Sequence, residues 1–348
     1  MNPSQNPSQN PEQNSSLNLN QNMEPSLRKS RRQFLTTLGK TTAGLAFWSA
    51  FWDTRGTGTS TVFGAENASE SIANTTGITG LTAGVDPNHL VLLADTHCGP
   101  GLKHQLDFFR KTIQEIVAMN PRPAHVLIYG DFAFLFGKKE DYVLLKSLLT
   151  PLSEAGIPWT TCMGNHDRRD TFTEVFPEHA EKSLMSDRLV FRVETPSVDF
   201  LLLDSLIQYK DTSKWITPGE ILPEQRDWLH ETLKAQTKPI ILGAHHLLNE
   251  TKIEDIIQAH SCVVGYINGH AHYWKPNVYN GVQALTLPSC GHWGDIGIVN
   301  AFLTPKEAKF QLFMRDYLLG NRGPDFEPNP DRQKNIAAKQ GATWRLDL

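Results

Sequence analysis

The amino-acid sequence predicts an α/β fold, with mixed β-sheets and helices outside them. Between residues 89 and 162, short apolar runs alternate with amphipathic stretches in the order strand, helix, strand, helix, strand. The last third reads as strands in succession, which turns a simple parallel sheet into mixed sheets. At 348 residues, 39% hydrophobic and 20% charged, the chain can bury a large core without disulfide staples.

The elements follow in order. Residues 89–94 (HLVLLA) are a continuous apolar run, as a strand buried on both faces requires. Residues 104–119 place Leu106, Phe109, Ile113, Ile116 and Val117 at helical spacing. A strand at 125–129, a helix from 140 and a strand at 157–162 come next. The runs 189–193 and 198–203 bracket Thr195-Pro196-Ser197 and predict a hairpin. Residues 223–235 predict an amphipathic helix opened by Pro223. Strands are expected at 239–242, 262–267, 282–287, 296–303 and 309–314. From Gly320 the chain is rich in Pro, Asn and Gly and reads as an irregular tail. The expected organisation is 1–65 as leader, 66–319 as one domain and 320–348 as tail.

The leader is of a different kind. Residues 2–22 are an Asn/Gln/Pro/Ser tract, too polar to offset its chain entropy by burial. Ser30-Arg31-Arg32-Gln33-Phe34-Leu35 precedes an uncharged apolar stretch, 41–52. Twelve helical residues rise about 18 Å, well short of a bilayer core of about 30 Å. The layout resembles a twin-arginine export signal, an address rather than an anchor. It implies the export machinery as a partner, a periplasmic or secreted location and no stable membrane anchor. Cleavage before Ala65 removes six of 33 Lys/Arg and three of 37 Asp/Glu, leaving 27 and 34 and a net charge of −7. So acidic a body disfavours nucleic-acid binding, which needs basic neutralisation of phosphates.

In open α/β sheets, ligands bind beyond the carboxyl ends of strands. Five of the expected strands end in side chains able to hold a metal: Asp95 and His97; Asp131; Asn165, His166 and Asp167; His245 and His246; His270 and His272. Carboxylate, carboxamide and imidazole donors suit ions such as Fe, Mn and Zn. Asp-x-His on an extended segment would turn both side chains to one side, and likewise His270 and His272. Asp131, alone after its strand, is the candidate bridge. Two ions about 3.5–4 Å apart can hold a hydroxide and clamp the attacking and leaving oxygens of a displacement at phosphorus.

Asp-x-His, Gly-Asp, Gly-Asn-His-Asp, a lone His and Gly-His-x-His, in this order over 88–303, resemble the calcineurin-like metallophosphoesterase superfamily. The resemblance implies a four-layer αββα sandwich of two mixed β-sheets flanked by helices. It implies a centre of two divalent or mixed-valence ions and hydrolysis of small phosphate mono- or diesters by a metal-bridging hydroxide. One metal would take Asp95, His97, Asp131 and His272, the other Asp131, Asn165, His245 and His270. His245 is preferred over His246 as nearer the strand end. His166 would act on the scissile phosphate as acid or orienter, with Asp167 holding its ring. Phe132-Ala133-Phe134 departs from the polar residues many members carry there. Gly219, Gln225, Trp228-Leu229 and Leu233 resemble a helix of the branch near cyclic-nucleotide phosphodiesterases.

A non-catalytic binding protein on the same fold is the alternative, and it would be expected to have lost ligands that this chain retains. His89, His104, His125, His179, His230 and His260 stand outside any cluster and read as surface or capping residues. His292, in Cys290-Gly291-His292-Trp293-Gly294, reads as a packing or rim residue. Cys98 reads as core, turned from the ligands by strand alternation. Cys98, Cys162, Cys262 and Cys290 are expected to stay thiols, because twin-arginine cargo folds in a reducing cytosol.

Overall fold

The computed structural model describes residues 84–214, 217–291, 293–315 and 330–348. The export signal, its cleavage point, His292 and the side chain of His104 lie outside the described residues. Among the described residues, no helix is long and apolar enough to cross a membrane.

Two six-stranded mixed sheets form the framework. The first contains β1 (Val85–Leu93), β2 (Arg122–Tyr129), β3 (Trp159–Cys162), β10 (Gly297–Leu303), β11 (Glu307–Met314) and β12 (Thr343–Asp347), in the order β12-β11-β10-β1-β2-β3. The strands β1, β2 and β3 run parallel, and β10, β11 and β12 extend the sheet antiparallel. The second contains β4 (Phe191–Val193), β5 (Asp199–Leu202), β6 (Ile240–Gly243), β7 (Val263–Asn268), β8 (Lys275–Tyr279) and β9 (Val282–Thr286), in the order β4-β5-β6-β7-β9-β8. Here β5, β6, β7 and β9 are parallel, with antiparallel hairpins at both edges.

Alternation along the buried strands explains the layering. Leu90, Leu92 and Leu127 from the first sheet meet Val193, Phe200, Ile241, Ile267 and Leu285 from the second in an inter-sheet core. Their neighbours Val91, Leu93, Val126 and Ile128 point the other way, onto α1 (Lys103–Val117) and α2 (Lys139–Glu154) through Phe109, Ile113, Tyr142 and Leu145. The second sheet turns Leu201, Ile240 and Leu242 outward onto α5 (Pro223–Lys234), α6 (Leu248–Thr251) and α7 (Glu254–Ala259). With both faces covered, these strands read as continuous apolar runs rather than alternating ones.

The structure departs from the expectations in several places. The described part of the tail, 330–348, is not irregular: Pro330–Lys339 is a helix, α8, and Thr343–Asp347 is the edge strand β12, whose Trp344 and Leu346 face the core at period two. His89, His125 and His179 are buried rather than superficial. His89 bonds Asn300 at 2.6 Å and stacks on Phe302, His125 bonds Thr160 at 2.8 Å, and His179 sits among Trp159, Phe172, Phe176 and Phe191. The edge strand β8 was not legible, because Lys275-Pro276-Asn277-Val278-Tyr279 is largely exposed and proline is tolerated at a sheet edge. Short helices α3 (Arg169–Val175) and α4 (Pro177–Lys182) also lie where no element was expected.

Candidate metal centre

Five loops meet at the carboxyl ends of β1, β2, β3, β6 and β7. Backbone bonds knit them together: Asp95 N to Gly130 O at 3.1 Å, His97 N to Asp131 O at 2.9 Å, and Gly269 N to His245 O at 3.0 Å. Two motif glycines are required by this proximity. A Cβ on Gly164 would lie 2.2 Å from Asp131 Oδ1, and one on Gly269 would lie 2.8 Å from Asp95 Oδ2.

The ligand side chains do not converge by strand alternation, as expected from the sequence. Asp95, His97, Asp131, His270 and His272 all hold left-handed backbone, with φ of 54°, 43°, 50°, 69° and 62°. Asp and His tolerate this region better than most residues, yet each such position costs about 1 kcal/mol or more. The surrounding fold must supply that energy, so these loops are over-determined. Cys98 is buried in the helix-side core, but for the same reason alternation is not what places it there.

Two groups of donor atoms result. In the first, Asp95 Oδ1 lies 3.0 Å from His272 Nε2, which is 3.3 Å from His97 Nε2, and His97 Nε2 is 3.6 Å from Asp131 Oδ2. In the second, His245 Nε2 is the hub: Asn165 Oδ1 at 3.2 Å, His270 Nδ1 at 3.2 Å and Asp131 Oδ2 at 3.3 Å. The same oxygen, Asp131 Oδ2, belongs to both groups. Donors held about 2.0–2.2 Å from a tetrahedral ion lie roughly 3.3–3.6 Å apart, so both groups have the span of a first coordination sphere.

The donor chemistry requires positive charge as well. His245 Nδ1 lies 2.8 Å from the carbonyl oxygen of Tyr129, to which it donates, so Nε2 presents a lone pair. In the neutral ring that lone pair would face the oxygens of Asn165 and Asp131, so positive charge belongs at Nε2, as a proton or as a metal ion in its place. Burial works against charge on His245, yet Asp131 outweighs it and pushes the imidazole up to about 10. Burial likewise opposes ionisation of Asp131, but His245, His166 and His97 hold its carboxyl well below the usual range.

The backbone fixes the carboxylates. His166 N donates to Asp131 Oδ1 at 2.8 Å, and His270 N donates to both oxygens of Asp95 at 3.1 and 3.2 Å. His166 is partly exposed beside the centre, its Nε2 4.0 Å from Asp131 Oδ2 and its ring edge-on to His97. Burial lowers its pKa, with Asp131 pulling the other way. His246 Nδ1 lies 2.7 Å from Ser205 Oγ, while its ring packs against His245 and His270, and the three together form a group of potential metal donors.

Asp167 has a different role from the one expected. Its oxygens accept from the amides of Phe132, Ala133 and Gly164, each at 3.0 Å, and from Tyr142 Oη at 3.1 Å. It therefore ties the Asp131 loop to the Asn165 loop rather than holding the His166 ring. Burial, with the charge of Asp131, pushes it up to about 7 against the pull of those amides. Sequence reasoning missed Glu250, whose Oε2 lies 3.8 Å from His270 Nε2. It also missed Arg169, which grips buried Asp204 through two nitrogens at 2.6 and 2.7 Å. Gln225 pairs with the backbone of Asp204, and Gly219 packs against the His246 ring, so that segment is structural.

A two-sheet sandwich with two neighbouring clusters of donor side chains at its strand ends, and Asp131 Oδ2 within reach of both, fits a class, the binuclear metal-dependent hydrolases of phosphoester bonds. The chain belongs to the calcineurin-like phosphoesterase family, whose model matches residues 89–274. It is 26% identical over 203 residues to a probable cyclic nucleotide phosphodiesterase of Psychrobacter arcticus, covering 52% of this chain and 68% of the relative. A second such protein, from another Psychrobacter strain, is 21% identical over 214 residues, 54% of this chain and 58% of its own length. Among solved structures, a dimetal phosphatase from Danio rerio shares the fold, with TM-score 0.53 and 14% identity over 65% of this chain and 96% of that one.

Proposed function

We propose that this protein hydrolyses small phosphate esters, with cyclic nucleotides and other diesters as the first class to test. The observation that carries the reading is Asp131 Oδ2 shared between two donor groups. Asp95, His97, Asp131 and His272 hold one ion; Asp131, Asn165, His245 and His270 hold the other. Oxygen and imidazole donors without thiolate suit Fe, Mn or Zn. Bound there, a metal pair supplies a hydroxide for attack at phosphorus and charge to offset the phosphoryl oxygens.

The chain's own residues do the rest. The Asp131 carboxylate is held by the His166 amide, so its second oxygen stays directed at the centre. Tyr129 O fixes the His245 ring through Nδ1, a second contact that orients an imidazole and raises its basicity. The His166 ring, beside both groups and open to solvent on one side, orients the phosphate or protonates the departing oxygen. The names of the two bacterial relatives support a cyclic diester as substrate.

Export in the folded, metal-loaded state is part of the proposal, through Ser30-Arg31-Arg32-Gln33-Phe34-Leu35. Replacing Arg31 and Arg32 by Lys is expected to retain the precursor inside the cell, and continued export would refute this route. The test of function is purified protein reconstituted with Mn, Zn or Fe and assayed on cyclic nucleotides, alkyl and nitrophenyl diesters, and monoesters. Two ions per chain and turnover of at least one ester are expected. Tight binding of two ions with no turnover of any ester would instead establish a non-catalytic metal-binding protein.

A further inference from the structure

A pair of aromatic side chains stands beside the metal centre without a part in holding it. Trp293 is 45% exposed and Tyr273 is 36% exposed, and their ring centroids lie 5.9 Å apart. Trp293 leans on the ring of His272, centroid to centroid 4.3 Å and tilted by 40°. Exposing an indole leaves apolar surface in water, and at the mouth of a site such surface marks ligand contact.

The mount under these rings is built rather than loose. Asp295 is fully buried and accepts from Trp274 N at 2.9 Å, Asn335 Nδ2 at 2.8 Å and Lys339 Nζ at 2.6 Å. Its own amide donates to His272 O at 2.7 Å. Gly294, at φ +80°, lets the loop approach so closely that a Cβ there would lie 2.2 Å from His272 O. Lys339 Nζ also sits 5.8 Å from the centre of the Tyr273 ring. Helix α8, beyond the family match, thus helps fix the position of both rings.

We propose that Trp293 and Tyr273 form a stacking platform for the base of a nucleotide whose phosphate sits at the metal centre. This rests on the phosphoesterase reading above and names the part of the substrate that the metals do not touch. With the indole 4.3 Å from the His272 ring, base and phosphate would be neighbours across the ribose. Purine rings stack on aromatic side chains regardless of hydrogen-bonding edge, so the platform selects for a base without choosing among bases. A competing surface exists across the centre, where Phe136, Gln208, Tyr209 and Lys214 line a cleft beside Asn165 and His166. The indole is preferred because it offers the larger ring and rests directly on the ring of His272 at the centre.

The test compares AMP with ribose 5-phosphate, which carry the same phosphate and differ by the base, in calorimetric titrations of Mn-loaded full chain. Base stacking is worth about 1–3 kcal/mol, so AMP is expected to bind roughly 5–150-fold more tightly. Trp293→Ala should bring the two to within about threefold with metal content unchanged, and Trp293→Phe should keep most of the difference. Equal binding of AMP and ribose 5-phosphate by the parent protein overturns the platform. So does a preference that survives Trp293→Ala, or one that disappears in Tyr209→Ala instead. Failure of the functional reading is distinguishable, because a chain that turns over no ester can still show or lack the AMP preference.

Discussion

Asp167→Asn separates a structural clamp from a catalytic partner. The Asp167 carboxylate collects three backbone amides at 3.0 Å and the Tyr142 hydroxyl at 3.1 Å, all inside the protein. Asparagine can keep the contacts of Oδ1, to Phe132 N, Ala133 N and Tyr142 Oη. Its amide nitrogen then faces the Gly164 N–H, donor against donor. A hydrogen bond to a charged acceptor is worth about 1.5–3 kcal/mol, and a buried donor left unsatisfied costs about 1–3 kcal/mol. Above pH 7, where the carboxylate is charged, the loss should therefore be about 2–3 kcal/mol for Asp167→Asn. For Asp167→Ala, where four donors lose one shared acceptor and the terms do not simply add, it should be about 4–6 kcal/mol. At roughly 2–4 °C per kcal/mol for a domain of this size, the Asn variant should melt about 4–12 °C lower. The clamp joins the Asp131 loop to the loop bearing Asn165, so affinity for the second ion should fall with stability. Thermal unfolding with and without metal, together with metal content and initial rates, reads all three quantities. A variant that melts like the parent and binds both ions, yet loses turnover, would refute the clamp and return Asp167 to His166.

Other expectations follow from the same geometry. Asp131→Asn should lower occupancy of both ions while His97→Ala mainly empties one, as read by metal content; two ions and normal turnover in the Asn variant would break the bridge assignment. His166→Ala should keep both ions and lose far more rate on an alkyl ester than on a nitrophenyl ester, with general acid help worth about 10²–10⁴-fold. Equal losses on the two esters would limit His166 to orienting the phosphate. Burial pushes His179 down to about 4, so the unfolded chain gains a proton near pH 6.5 that the native state refuses. Stability should fall as pH drops from 6.5 toward 4, by up to about 3 kcal/mol from this residue. His179→Leu should flatten that part of the profile in chemical denaturation, and identical slopes in parent and variant would count against it.

The residue types at the five strand ends are local information, and each lies within five residues of the end of an apolar run. The candidate donors could be picked out because those runs, short and bounded by turn residues, read as strands. Other features depend on contacts between distant segments. The left-handed backbone at Asp95, His97, Asp131, His270 and His272 is imposed by loops bonded to one another across the sheets, and no periodicity encodes it. Asp167 looked like a partner for His166 because they are adjacent in the chain, but the donors around it come from Phe132, Ala133 and Tyr142, 25 to 35 positions away. Glu250 carries no motif and acquires meaning only from the fold bringing it within 3.8 Å of His270. The tail misled for a similar reason: Trp344 and Leu346 show a two-residue period, but five residues become a strand only when β11 offers an edge to pair with. Composition and spacing thus determined which donor side chains stand at the strand ends. Its tertiary structure decided which atoms share a site, because pairing across the sheets, rather than sequence separation, sets those distances.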